Sequence, residues 1–201
     1  MQDKVNLVKE ITDLPNVLSG LSILSVNRFT SQPIYKSTDK SNETMKIILL
    51  TVGKTTNSHL IKLQEEYQNR LKFYIPFELM VIPELKNTKS LSITEQQEKE
   101  ADLILKQFEL NDKVVLLDEK GKQFTSVAFS DYISKKLMAS HKRMIFVVGG
   151  PYGFSERVYQ RANNMISLST MTFSHQMIRL IFVEQLYRAM TIMKGEPYHH
   201  E

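Results

Sequence analysis

The sequence predicts an α/β protein built on a parallel β-sheet with helices on both faces. The strand candidates are apolar throughout rather than alternating with polar residues, which is typical of a sheet covered on both faces. They also alternate along the chain with helix candidates, which favours parallel strands joined by helical crossovers. The strand candidates are 46–52, 77–82, 113–117, 144–148 and a short 165–168, and the helix candidates are 57–72, 93–108, 126–139, 155–163 and 174–193.

Each strand candidate is a short apolar run, and the first is the strongest. It reads 45-MKIILLTVG-53, and it is followed in order by 77-FELMVI-82, 113-KVVLL-117 and 144-MIFVV-148. Basic side chains are scattered between these runs, often in pairs, as solvated helix faces usually have them. We therefore expect one domain whose sheet is buried and whose charges lie on the helices.

The last helix candidate is apolar around most of its circumference. Ser174 is a suitable N-cap, and a narrow polar strip contains Glu184, Gln185 and Arg188. Glu184 and Arg188 are four residues apart, the spacing of a helical ion pair. Such a helix is buried on more than one side. It is either a central core helix or a terminal helix that packs on its own sheet and on a second subunit.

Composition limits the class of protein. The chain has 201 residues, of which 42% are hydrophobic and 24% charged, as in globular proteins without membrane spans. It contains no cysteine, which excludes disulfides, thiolate zinc sites and cysteine nucleophiles and fits a reducing cytoplasm. No apolar run reaches the ~20 residues of a membrane span. The net charge of +4 permits a polyanionic partner without requiring one.

Residues 1–44 differ from the rest of the chain. They end in the polar stretch 36-KSTDKSNET-44, and their five basic and five acidic side chains cancel, so the net charge belongs to residues 45–201. The apolar patch 17-VLSGLSILSV-26 lacks the basic start and cleavage site of a signal peptide. We expect either an extension upstream of a true start at Met45 or a weakly ordered arm.

Three loops that follow strand candidates are small or polar: 117-LDEKG-121, 149-GGPYG-153 and 168-LSTMTFSH-175. Because the carboxyl ends of parallel strands lie at one edge of a sheet, these loops are candidates for a single ligand pocket. Alternatively, they are small and polar only because such loops usually are. The glycines match neither a dinucleotide fingerprint nor a phosphate-binding loop. Gly149 and Gly150 expose backbone to which an adenosine or a crossing strand has access.

Candidate chemical groups lie in the last helix and in the tail 195-GEPYHHE-201. His175 begins the last helix, and Tyr198 and His199 belong to the tail, which is either disordered or folded back over the strand edge. The paired histidines at the end are a weak metal signal, so we expect no metal site. Arg157 and Arg161, four residues apart, are candidates for contacts with RNA phosphates.

Five segments in this order resemble the ribosomal RNA large subunit methyltransferase H family, a minimal SPOUT-class group. The resemblance covers residues 45–201 and none of 1–44. Each motif is weak alone, but the succession of GGPxG, SLS-x-x-T and a terminal PYHxE is specific. The segments are 45-MKIILLTVGK-54, 114-VVLLDEKGK-122, 147-VVGGPYGFSE-156, 167-SLSTMTFSHQMIRLIFVEQLYRA-189 and 194-KGEPYHHE-201.

The resemblance implies a parallel sheet with a C-terminal trefoil knot, a rare exception to unknotted chains. It implies a cytoplasmic homodimer that uses S-adenosylmethionine to methylate N3 of a pseudouridine in 23S rRNA of the assembled ribosome. A non-catalytic knotted protein that binds RNA or the ribosome is the alternative. Tyr198 and His199 match residues near the target base. The cofactor positions carry over onto Leu117, Gly149 with its neighbour Gly150, Leu168, Ser169, Thr170, Met171, Thr172 and Phe173.

The sequence departs from the family pattern at two places. Many relatives have LPHP where this chain has 173-FSHQ-176, and an arginine where it has His200, so a phosphate contact at position 200 is in doubt. The imide nitrogen must lose its proton during methyl transfer, and a base of near-neutral pKa assists such a step. His199 is the first candidate for that base, ahead of His175 and Glu184.

Overall fold

A computed structural model describes residues 44–139 and 141–199, which form one five-stranded sheet with all neighbouring strands parallel. The strand order is β2-β1-β4-β3-β5. This confirms the predicted α/β class with a parallel sheet, while the knot stays an expectation from the resemblance. The strands are β1 (Lys46–Val52), β2 (Phe77–Ile82), β3 (Lys113–Gln123), β4 (Arg143–Val148) and β5 (Asn164–Ser167).

In the described residues, five α-helices connect or follow the strands, and four of them begin at a polar side chain that caps the first turn. Ser92 and Glu95 form a reciprocal capping box, and Ser174 accepts a hydrogen bond from the Met177 N–H, as its position predicted. A short 3-10 turn spans Thr88–Ser90. The helices are α1 (Ser58–Leu71), α2 (Ile93–Leu105), α3 (Ser126–Leu137), α4 (Glu156–Arg161) and α5 (His175–Met193).

The sheet separates two hydrophobic cores, which explains why its strands are apolar throughout. In β1, Ile47 and Leu49 face the core built with α1, α3 and α5, whereas Ile48 and Leu50 face the core built with α2 and α4. All four side chains are at most 2% exposed. Both faces are therefore predominantly apolar, and the ends of the strands are the expected place for polar groups that bind a ligand.

Helix α5 packs in the core of its own chain, and a further contact with a second subunit stays a prediction. It packs between α1 and α3, and the Phe182 ring lies 4.6 Å from the Phe146 ring at the centre of the sheet. The predicted ion pair is present, with Arg188 donating to Glu184. Among the described residues, no helix has the length and apolar character needed to span a membrane.

Strand β3 is longer than the predicted 113–117 and extends through most of what was predicted as a loop. Leu117 and Lys122 both pair with Ile166 of β5, so residues 118–121 bulge out of the ladder before pairing resumes. At Gly121 the backbone approaches β5 so closely that an added Cβ would lie 2.5 Å from backbone atoms of Ile166. The glycine thus permits the strand to return to its partner after the bulge.

Replacing Gly121 by Ala is expected to lower the free energy of unfolding by about 1–3 kcal/mol, because one strand has to move to accept the new methyl group. Urea denaturation measures the change. Lys120→Ala, an exposed neighbour in the same bulge, serves as the control and should stay within about 0.5 kcal/mol of the original protein. An unfolding free energy for Gly121→Ala equal to that of the control would contradict the close approach.

Candidate active site

The three predicted loops meet in one cavity at the carboxyl ends of β3, β4 and β5. This first cavity has a volume of about 410 Å³, within the usual range of ligand pockets. His175 and Ile178, from the first turn of α5, complete its wall. Its remaining lining residues are Leu117, Asp118, Glu119, Lys120, Val148, Gly149, Gly150, Pro151, Tyr152, Gly153, Phe154, Tyr159, Ile166, Ser167, Leu168, Ser169, Met171, Thr172 and Phe173.

All of the residues predicted to bind the cofactor line the first cavity except Thr170, which lies in the same loop but outside the lining. The loop around Thr170 is held by its own serines. The Ser167 hydroxyl donates to the Ser169 carbonyl over 2.8 Å, and the Met171 N–H donates to the Ser169 hydroxyl over 2.8 Å. The predicted cofactor role of these residues stays a prediction, but the structure brings them together.

The two adjacent glycines have close side-chain neighbours within the chain. A Cβ at Gly149 would lie 3.0 Å from the Phe154 ring, and a Cβ at Gly150 would lie 2.2 Å from the carboxylate of Glu100. Gly153 has φ of 77°, and its N–H donates to the Gly150 carbonyl to close the turn. Because positions 149 and 150 have no side chains, Phe154 and Glu100 can pack against the backbone there. The contact with Glu100 cannot be predicted from the local sequence.

The opposite wall is organised by Asp118 in the β3 bulge. Its carboxylate accepts a hydrogen bond of 2.7 Å from the Tyr159 hydroxyl and one of 2.9 Å from the Lys120 N–H. Burial raises the pKa of Tyr159, and the Asp118 hydrogen bond raises it further, so the phenol stays protonated and continues to donate. Tyr159 also packs edge-on against Phe154. The bulge and the glycine turn thus support each other.

His175 faces the cavity as a neutral imidazole at neutral pH. Burial lowers the pKa of His175 and the charge of Arg179 lowers it further, while Glu84 and a hydrogen bond to the Gly149 backbone oppose this. A neutral imidazole accepts or donates a hydrogen bond without attracting an anion. Of the three base candidates predicted from sequence, His175 is the one that lies in the cavity of its own chain.

A second cavity of about 380 Å³ adjoins the first at the carboxyl ends of β1 and β2. The two cavities share Gly150, Pro151 and His175. Sequence reasoning missed this site because its residues come from distant segments. The further lining residues of the second cavity are Val52, Lys54, Glu84, Leu85, Thr88, Gln96, Glu100, Ser174, Gln176 and Arg179.

Arg179 connects the second cavity to the sheet. Arg179 is 2% exposed. Its guanidinium donates a hydrogen bond of 2.7 Å to the Val52 carbonyl and one of 3.2 Å to the Thr55 hydroxyl. Within the part of the chain that the structure describes, no group accepts a hydrogen bond from its Nε. The one signal for this residue in the sequence is a charge within an otherwise apolar stretch of helix, 177-MIRLIFV-183.

The sequence profile of a family described as "Predicted SPOUT methyltransferase" matches residues 45–199. The chain belongs to the SPOUT methyltransferase family. Its relatives include proteins named ribosomal RNA large subunit methyltransferase H from Parabacteroides distasonis, 61% identical, and Bacteroides thetaiotaomicron, 60% identical. Each alignment covers 78% of this chain and 100% of the relative. This confirms the family resemblance, and the chain is a methyltransferase.

Among solved structures, a probable methylase family protein from Haemophilus influenzae aligns with 79% of this chain and 71% of its own length. The sequence identity is 9% and the TM-score is 0.43.

The tail of this methyltransferase packs on α1 and α5 of its own chain. The Tyr198 hydroxyl lies 3.1 Å from the Glu184 carboxylate and 3.2 Å from the Tyr67 hydroxyl, and its ring packs edge-on against Tyr187. Glu184 is nine residues along α5 from His175, a rise of ~13 Å. Within one chain, Tyr198 and Glu184 are therefore grouped together and separated from the first cavity. His199 follows directly, and His200 lies outside the described residues.

The two arginines predicted to contact RNA are already engaged by protein groups. Arg157 pairs with Glu98 and Asp102 of α2. Arg161 donates to the carbonyls of Glu109 and Asp112. Neither lines the first or the second cavity. A role in RNA binding stays a prediction, and an RNA phosphate would have to compete with these partners. In residues 44–139 and 141–199, no cluster of three acidic or histidine side chains suits a metal ion.

Tyr198→Phe tests the packing of the tail. Removing the hydroxyl deletes the contacts with Glu184 and Tyr67, so we expect the free energy of unfolding to fall by about 0.5–1.5 kcal/mol. Tyr152→Phe, at a half-exposed ring, is the matched control and should leave stability unchanged. If both variants unfold at the same urea concentration as the original protein, the tail does not pack as described.

Proposed function

We propose that this methyltransferase transfers a methyl group from S-adenosylmethionine to N3 of a pseudouridine in 23S rRNA of the assembled ribosome. The convergence of the three loops on one cavity beside His175 is the observation that carries this proposal. The names of relatives that align over their full length support an rRNA substrate. The matched residues 45–199 support activity within residues 45–201, with residues 1–44 dispensable for it.

The first cavity fits the methyl donor. Its volume suits a nucleoside-sized ligand, and its wall combines apolar side chains with the polar backbone of three loops. When bound, S-adenosylmethionine supplies an electrophilic methyl group on a sulfonium. Leu117, Leu168 and Phe173 provide apolar surface for the adenine and exclude water. The backbone at Gly149, Gly150 and in the run Ser169–Thr172 supplies hydrogen-bonding groups.

We further propose that the enzyme works as a homodimer in which the tail of one protomer reaches the first cavity of its partner. Tyr198 and His199 match family residues near the target base, yet the tail lies on the α1–α5 surface of its own chain. A second copy docked on that surface brings the tail of one protomer to the first cavity of the other. Tyr198 then stacks on the base and His199 hydrogen-bonds to it.

The modest charge of the chain supports the assembled ribosome as the substrate. A net charge of +4 gives weak non-specific attraction to RNA, so recognition has to rely on the shape of a folded particle. Arg157 and Arg161 add phosphate contacts if the docked RNA displaces their carboxylate and carbonyl partners. Such an enzyme works where ribosomes assemble, in the cytoplasm.

Methyl incorporation into ribosomes from a strain that lacks the modification tests the proposed function. We expect labelled methyl groups at N3 of one pseudouridine, with little transfer to free 23S rRNA. Calorimetry should detect S-adenosylmethionine binding that Gly149→Val and Thr172→Trp abolish, because both fill the first cavity. Thr172 is exposed, so its variant keeps the fold if Gly149→Val does not. Absence of cofactor binding by the original protein would favour a non-catalytic RNA- or ribosome-binding role.

Mixing two inactive variants tests the homodimer. His199→Ala should lower turnover while leaving cofactor affinity unchanged, and Thr172→Trp should lose cofactor binding. In a mixed dimer, one site combines an intact cavity with an intact tail, so random mixing should restore about a quarter of the original activity. Native mass spectrometry confirms that mixed dimers form. Mixed dimers without any recovered activity would contradict a tail that serves its partner.

A further inference from the structure

Glu100 of α2 is a buried carboxylate beside the glycine turn. It is 5% exposed, lines the second cavity and packs against Gly150, which lines both cavities. One carboxylate oxygen accepts a hydrogen bond of 3.2 Å from the Gln96 amide, and the other lies against the α-carbon of Gly150. Burying a carboxylate with an amide as its partner costs stability, so a function has to account for it.

The carboxylates that line the two cavities differ in burial and in partners. Asp118 holds the Tyr159 hydroxyl and the Lys120 N–H, Glu84 and Glu119 are exposed, and Glu100 is buried. A carboxylate engaged by strong donors is a poor proton acceptor, because protonation would break those interactions. Among the described residues, the Gln96 amide is the one group that donates to Glu100, so this carboxylate remains available to a ligand.

The charges in the second cavity indicate a neutral, polar ligand. Lys54 and Arg179 supply two positive charges, and Glu84 and Glu100 supply two negative charges, so the lining has no net charge to attract a phosphate. The cavity offers both donors and acceptors. The imide edge of a uracil-type base, with one N–H between two carbonyl oxygens, matches such a set of groups.

We propose that the second cavity receives the target base and that Glu100 accepts the proton from its imide nitrogen. This inference rests on the proposed function. The N3–H bond breaks and its proton goes to a Glu100 oxygen. The electron pair of the nitrogen forms the new bond to the methyl carbon, while the carbon–sulfur bond breaks and its electron pair goes to sulfur. His199 then contributes hydrogen bonding to the substrate, and Glu100 contributes proton removal.

The surroundings of Glu100 make it a stronger base than an exposed glutamate. Burial raises its pKa, and the nearby charge of Glu84 raises it further, while the Gln96 hydrogen bond opposes both. The other charged or titratable groups in this cavity are Lys54 after β1, and His175 and Arg179 on α5. A base whose pKa approaches the working pH removes a proton more effectively.

Glu100→Gln tests the assignment, because glutamine keeps the shape and the hydrogen bonding but does not take up a proton. Single-turnover methyl transfer to ribosomes, measured against pH, should fall 10²–10⁴-fold at neutral pH. The decline of the original rate toward low pH should disappear in the variant. Affinity for S-adenosylmethionine should stay unchanged. Glu65→Gln, at an exposed carboxylate of α1, is the matched control and should behave as the original protein.

Thermal unfolding separates a catalytic role from a structural one. Because the pKa of Glu100 is raised in the folded state, the folded protein binds that proton more tightly than the unfolded chain. The free energy of unfolding therefore falls as pH rises from the ordinary glutamate range through the raised pKa. Glutamine does not titrate, so the Glu100→Gln variant does not lose free energy of unfolding in this way. At neutral pH it should be at least as stable as the original protein, and any difference in stability should become smaller at lower pH.

Thr88→Trp tests the second cavity independently by filling it from the 3-10 turn. We expect KM for ribosomes to rise at least tenfold with cofactor affinity unchanged. An unaltered KM would overturn the base site, and a Glu100→Gln rate within threefold of the original, or a destabilised Glu100→Gln protein, would overturn the proton acceptor. These failures differ from failure of the proposed function, in which the original protein itself would not methylate ribosomes.

Discussion

The packing of α5 against the centre of the sheet fixes where chemistry is possible in this protein. Phe182 lies against Phe146 in the middle of β4, so the axis of α5 is anchored and its first turn projects past the carboxyl ends of the strands. His175 on that turn lines both cavities, and Arg179, one turn further along α5, lines the second. Both faces of the sheet are sealed, and this edge is the place where polar groups from several strands converge.

The order of strands and helices was predictable because the apolar runs of a sheet covered on both faces are unmistakable in sequence. The three loops were predictable for the same reason, since parallel strands that are correctly identified leave their carboxyl ends at one edge. The bulge at 118–121 was not, because it depends on pairing with β5. The contact between Gly150 and Glu100, fifty residues apart in the chain, has no local signal either.

The tail shows how a motif can be recognised in sequence while its geometry stays hidden. PYHxE marks residues 197–201 as part of the family pattern, yet Tyr198 is bound to Tyr67 and Glu184, away from the cavity of its own chain. Sequence identifies which residues belong to the motif, whereas the surface on which the tail rests depends on helices formed far upstream. That surface is also where the proposed second subunit would have to dock.

Because Glu100 packs closely against Gly150, the residues that fit at these two positions depend on each other. Any L-residue at 150 would push the carboxylate out of its place, and a shorter or differently shaped side chain at 100 would leave the glycine turn without its neighbour. Substitutions at the two sites are therefore non-additive. Adapting this protein to a different methyl acceptor would therefore require substitutions at positions 100 and 150 together.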